Sequence, residues 1–93
     1  MLVVVTYDLR TPDQDYDRFH DTLKRQGRWW HYLSSTWLLS TKKTPQQIFD
    51  ALEPHLGEDD RLFIAEITDN HQGWLPKKAW DWIERHGDTL PPE

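Results

Sequence analysis

The sequence predicts one small α+β domain, with a four-stranded antiparallel sheet laid down in the order β-α-β-β-α-β and a further helix after it. Three observations predict it. The segments Leu2 to Leu9 and Arg61 to Thr68 are rich in β-branched and apolar residues that alternate with period two. The segments around Tyr16 to Leu23 and Ile48 to Leu56 instead repeat their apolar residues at helical spacing. Between them lies a dense β-prone stretch, Arg28 to Thr41, long enough for two strands. A chain of 93 residues is a single domain, near the lower limit for folding on a hydrophobic core alone. Only 37% of it is apolar, but six residues are tryptophan. Aromatic rings bury roughly 150–250 Å² each, so a core of few residues can still bury much area.

Each element has its own justification. In the first strand Val3, Val5 and Tyr7 point one way and Val4, Thr6 and Asp8 the other, so it is apolar on nearly both faces. That pattern belongs to a central strand. Arg10-Thr11-Pro12-Asp13 breaks it, and a helix follows from Asp13 to Gln26, with Tyr16, Phe19, His20 and Leu23 on one face. Acids crowd its first turn, Lys24 and Arg25 its last, and Gly27 stands as a C′ residue. The stretch from Arg28 to Thr41 reads as a hairpin turning at Ser34-Ser35, the reading the element count favours, or as one long bent strand. Thr44-Pro45 supplies an N-cap and a proline at the first helical position. The second helix ends at Gly57, its last turn made irregular by Pro54. The last strand is Arg61 to Thr68, and Pro76 opens a helix to His86 with Gly87 as its cap. The domain thus spans residues 1–87, and 88–93 form a frayed tail. Two right-handed crossovers in this order give the ferredoxin-like, split-βαβ arrangement, with helices on one face of the sheet.

Composition narrows the function. Without cysteine there are no disulfides, thiolate metal sites or thiol nucleophiles. No apolar run is long enough to span a bilayer, and the start Met-Leu-Val-Val-Val-Thr-Tyr-Asp lacks a basic leader region, so a cytoplasmic protein is expected. A formal charge of -5 gives no general attraction to nucleic acid, so any such role needs a local basic patch or a metal.

Asp8 is the candidate for chemistry. It ends the presumed central strand, and acids in that position hold Mg²⁺ through one or two oxygens. One aspartate is a poor metal site, whereas two brought together across a dimer axis make a better one. The plainer alternative is that Asp8 caps the following turn or pairs with Arg10. His20, His55 and His86 fall on or beside apolar helical stripes, as buried histidines with satisfied nitrogens do. His31, in the Trp-rich segment, is the candidate general acid or base. Glu58-Asp59-Asp60 reads as a solvated connector rather than a metal cluster. Arg25, Arg28, Lys42 and Lys43, with neighbouring aromatics, form either a modest anion-binding strip or scattered surface cations. Trp80 and Trp82 diverge by roughly 200° on a helix and cannot share one core. One of them, or Trp74, is therefore expected in an interface, and Trp is enriched at interface hot spots.

The strand ending in Tyr7-Asp8, the first helix before Gly27, and Ser35-Thr36-Trp37-Leu38 together resemble the small CRISPR-associated Cas-two family. The strings Trp29-Trp30-His31-Tyr32, Ser35-Thr36-Trp37 and Trp74-Leu75-Pro76-Lys77-Lys78-Ala79-Trp80 are similar to those of the Cas-two-like branch labelled SinR. The resemblance covers residues 2 to about 83. It implies a ferredoxin-like homodimer acting on or with nucleic acid, with Asp8 as the acid of Mg²⁺-dependent phosphodiester cleavage; the residues' own chemistry offers His31 or Arg10 as helpers there, though His31 stands where the family commonly has a polar pattern. On that reading Arg10, Arg28, Lys42 and Lys43 are the nucleic-acid contacts and Trp74 and Trp80 the interface residues. The competing expectation is a non-catalytic subunit whose Trp-rich surface binds a protein partner.

Overall fold

The computed structural model describes residues 1–12 and 14–86. Asp13, the Gly87 cap and the tail 88–93 lie outside the described residues. The described residues form a small α+β domain of four strands and three α-helices. Strands β1 (Leu2–Asp8), β2 (Arg28–Leu33), β3 (Thr36–Ser40) and β4 (Arg61–Ile67) make one sheet in the order β2-β3-β1-β4. All pairings are antiparallel, with Val5 opposite both Trp37 of β3 and Ile64 of β4. The doubly apolar β1 is central, and β2 and β4 are the edges.

Helices α1 (Asp17–Lys24) and α2 (Pro45–Leu52) pack on the face that carries Val3 and Val5. Phe19, Leu23, Ile48 and Leu52 meet Val3, Val5, Trp37 and Leu39 there, all buried. Burial of each such side chain contributes roughly 1.5–3 kcal/mol. Helix α3 (Lys77–His86) takes the opposite face, where Leu38, Ile67, Trp80 and Ile83 surround a cleft of about 140 Å³ above buried Leu2. The helices therefore cover both faces rather than one. Ser40 Oγ ties the end of α3 to the sheet by donating to the His86 carbonyl at 2.8 Å.

Local differences from the expected elements have identifiable causes. Helix α1 begins at Asp17 because Tyr16 has left the helical path, with φ -92° and ψ 3°, and its hydroxyl donates to Asp60 Oδ1 at 2.6 Å. Its C-cap is Arg25 in the right-handed region, so Gly27 is not the C′ residue. Gly27 serves close approach instead, since a Cβ there would strike the Ser40 carbonyl oxygen and lie 2.9 Å from Thr41 Cβ. The segment from Arg28 is a hairpin with its turn at Ser34-Ser35, and its register shifts between Trp30 and Leu33, as at a β-bulge. Helix α2 opens with a capping box: Thr44 Oγ1 accepts from Gln47 N at 3.2 Å, and Gln47 Oε1 from Thr44 N at 2.9 Å. Pro54 lies in the 3₁₀ turn Glu53–His55 that ends it.

Candidate functional site

The two ends of β1 carry different chemistry. At its N-terminal end, α1 has run out at basic Lys24 and Arg25, the chain turns through Gln26-Gly27 beneath Ser40, and β3 exits into Thr41-Lys42-Lys43. These segments enclose an open cleft of about 650 Å³ lined by Arg25, Arg28, Lys42 and Lys43, with no acid in its wall. None of the four is ion-paired to an acid among the described residues. The floor is a fixed polar frame of two buried residues, Gln26 and Thr41. Thr41 Oγ1 donates to the Gln26 carbonyl at 2.6 Å and accepts from Lys43 N at 3.0 Å. Lys43 Nζ donates to Gln26 Oε1 at 2.9 Å, and Gln26 Nε2 donates to the Thr22 carbonyl at 2.8 Å. All four cations are exposed, and Lys43 is in addition tied to the frame through its ammonium and its backbone N–H. Four uncompensated cations over a rigid floor reverse the sign of an acidic chain locally and suit a phosphate-bearing ligand. Gln26 and Thr41 carry no motif in sequence; only the close approach that Gly27 permits brings them together.

At the other end, Asp8 closes β1 opposite Arg61, and its Oδ2 lies 2.8 Å from Arg10 Nη2. The two side chains are 52% and 71% exposed, which makes this a weak, screened ion pair. It is the plainer of the two arrangements expected for Asp8. A shallow cleft of about 290 Å³ runs beside it, past Thr6, Arg61 and Phe63. One carboxylate already facing Arg10 does not make a Mg²⁺ site within a single chain, and among the described residues no three His, Asp or Glu side chains cluster as a metal site would.

The expected contacts are thus divided. Arg28, Lys42 and Lys43 converge, joined by Arg25, but Arg10 lies beyond the far end of a strand about 20 Å long at ~3.3 Å per residue. His31 is bonded through Nε2 to the Ser34 carbonyl at 3.0 Å, and its ring stacks on Trp37 at 4.2 Å and 16°. No contact joins it to Asp8. Trp74 is fully exposed, at 101%, in the loop before α3. Trp80 is half-buried and stacks on His71 at 6.1 Å.

An interior polar chain runs beneath the His31 and Trp37 rings. Trp37 Nε1 donates to Tyr7 Oη at 2.9 Å, Tyr7 Oη lies 3.3 Å from His20 Nε2, and His20 Nδ1 lies 3.0 Å from the Tyr16 carbonyl. With Nδ1–H donating to that carbonyl, Nε2 accepts the Tyr7 proton and every group is satisfied. Burial pushes the Tyr7 phenol up, against the opposing effect of the Trp37 bond. These contacts fix His20 as a structural histidine. No protein-family model, curated protein or solved structure matches this chain.

Proposed function

We propose that this chain is a Cas-two-like protein, a ferredoxin-like homodimer that works with nucleic acid and holds its phosphates in the cleft of Arg25, Arg28, Lys42 and Lys43. The observation that carries the reading is the cleft itself, four cations without an acid in a chain of net charge -5. The antiparallel order β2-β3-β1-β4, with α1 and α2 over one face, supports the ferredoxin-like assignment. Binding here is electrostatic. Each phosphate neutralised releases counterions, so affinity falls steeply with salt.

The test is nucleic-acid affinity in the Arg28→Ala/Lys42→Ala double variant, which leaves the Lys43 frame intact. Affinity should fall at least about tenfold, and the slope of log K against log salt should flatten by about 1.4 to 1.8 for two lost charges. The control Lys77→Ala/Lys78→Ala, on exposed positions of α3, should bind as wild type. Equal losses in the two double variants would refute a specific cleft.

Cleavage at Asp8 is a second reading, favoured by its exposed place at the end of a central strand and opposed by its pairing with Arg10. It requires a second carboxylate, which a two-fold mate would supply. If it holds, cleavage of labelled RNA or DNA depends on Mg²⁺ and drops at least about tenfold in Asp8→Asn, the effect of about 1.4 kcal/mol in the barrier. Equal cutting by both proteins assigns the activity elsewhere. Failure of all oligonucleotides to bind would favour the protein-interaction role, for which the exposed Trp74 speaks.

A further inference from the structure

We propose that the acidic stretch after α3 is an intramolecular competitor for the basic cleft: Asp88, followed by Glu93, pairs with Arg28 and the cations around it until a phosphate displaces them. The proposal rests on the reading above for the ligand and adds the regulation of that site. The last described residue of α3 already touches the cleft wall. Ser40 lines the cleft and donates through Oγ to the His86 carbonyl at 2.8 Å. Arg28 stands directly opposite Ser40 in the pairing of β2 with β3, so its side chain leaves the sheet on the side to which the end of α3 is tied. Facing residues of an antiparallel pair have Cα atoms about 4.5–5.5 Å apart, and two residues of chain extend at most about 7 Å. An acid two positions beyond His86 therefore has a short path to the Arg28 guanidinium.

The sequence supplies an acid at that position. Residues 87–93 read Gly-Asp-Thr-Leu-Pro-Pro-Glu, with two acids and no cation. Glu93 comes five positions after Asp88, a further span of up to about 17 Å. The cleft has the complementary charge: Arg25, Arg28, Lys42 and Lys43 meet no acid in its wall and no ion pair among the described residues. One exposed ion pair contributes less than about a factor of ten. Tethering next to the cleft, however, holds the acids at an effective concentration of roughly millimolar, enough to occupy a weak site. A ligand with several phosphates displaces them because it neutralises more of the cations at once.

The experiment replaces both carboxylates in the full chain, Asp88→Asn/Glu93→Gln. Backbone amide shifts of residues 25–28 and 41–43, recorded without ligand at low salt, should move relative to wild type. Affinity for a labelled oligothymidylate of about a dozen residues should rise about threefold to tenfold at low salt, and the gain should shrink as salt is added. Glu58→Gln/Asp59→Asn removes the same charge from exposed positions beside the far end of β1, and should leave both readings close to wild type. Introduced into Arg28→Ala/Lys42→Ala, the tail substitutions should give no gain. Unmoved amides, or an equal gain from Glu58→Gln/Asp59→Asn or in the cation variant, overturn the proposal. If the cation variant loses affinity while the tail variant binds as wild type, only this proposal fails. If the amides move but no protein binds the oligonucleotide, the tail contact stands and the nucleic-acid reading alone fails.

Discussion

Asp60 lies where two connections meet, the one from β1 to α1 and the one from α2 to β4, and it shows how one side chain can hold a small domain together. Its Oδ1 accepts from Arg10 N at 2.7 Å, Thr11 N at 3.1 Å and Tyr16 Oη at 2.6 Å, and its Oδ2 accepts from Gly57 N at 2.7 Å. Burial alone would raise its pKa, but these bonds outweigh it and hold the carboxyl well below the usual carboxylate range. The folded value is lower than the unfolded one of about 3.9, so the ionised group stabilises the fold. That contribution is complete above about pH 5 and is lost as the pH falls toward the folded value. Urea midpoints should therefore decline on acidification below about pH 5, and Asp60→Asn should remove much of the decline while costing about 1–3 kcal/mol at neutral pH. An unchanged acid profile in that variant would locate the titration elsewhere. Glu58 and Asp59 are exposed, as an acidic connector in sequence suggests, but Asp60 is not. Nothing in a run of three acids tells which one turns inward. The turn from Gly57 decides it, along with the approach of Tyr16 from a distant segment.

Among the elements, those set by local pattern are legible in the sequence and those set by long-range contact are not. The near-continuous apolar run of β1 marks it as central, and Thr44-Pro45 marks the start of α2 by capping chemistry alone. The start of α1 and the role of Gly27 depend on Asp60 and Ser40, far away in sequence, so helical spacing and a glycine after basic residues mislead there. The basic cleft is half legible for the same reason. Its cations stand out by type, but their convergence depends on the close approach of the chain at Gly27 to the end of β3 at Ser40 and Thr41. The register of β3 can be tested directly. Trp37 is 2% exposed, lies opposite Val5 and donates to Tyr7. Trp37→Ala should cost about 3–5 kcal/mol, read as a lowered urea midpoint. A midpoint near wild type would mean that Trp37 does not face the core.

For the whole molecule, the exposed aromatic surface is the feature that folding of one chain does not explain. Phe63 is 65% exposed on the edge strand β4, and Phe49 at 40% lies beside it across a shallow cleft of about 210 Å³. An unpaired edge with large apolar side chains invites association unless it is covered. Phe63 pairs across the sheet with Thr6, one same-face step from Asp8, so a two-fold contact over this region would also draw two Asp8 side chains toward each other. The expected outcome is a two-fold dimer with aromatic residues in its interface, seen by sedimentation at about tens of micromolar, where moderate-affinity interfaces are populated. Phe63→Glu places a charge in that contact and should shift the population to monomer while leaving the circular dichroism spectrum unchanged. Trp74→Ala tests the other exposed aromatic: a dimer lost only in that variant would move the interface to the loop before α3. A stable wild-type monomer in that concentration range would remove the dimer, and with it the second carboxylate that a metal at Asp8 requires.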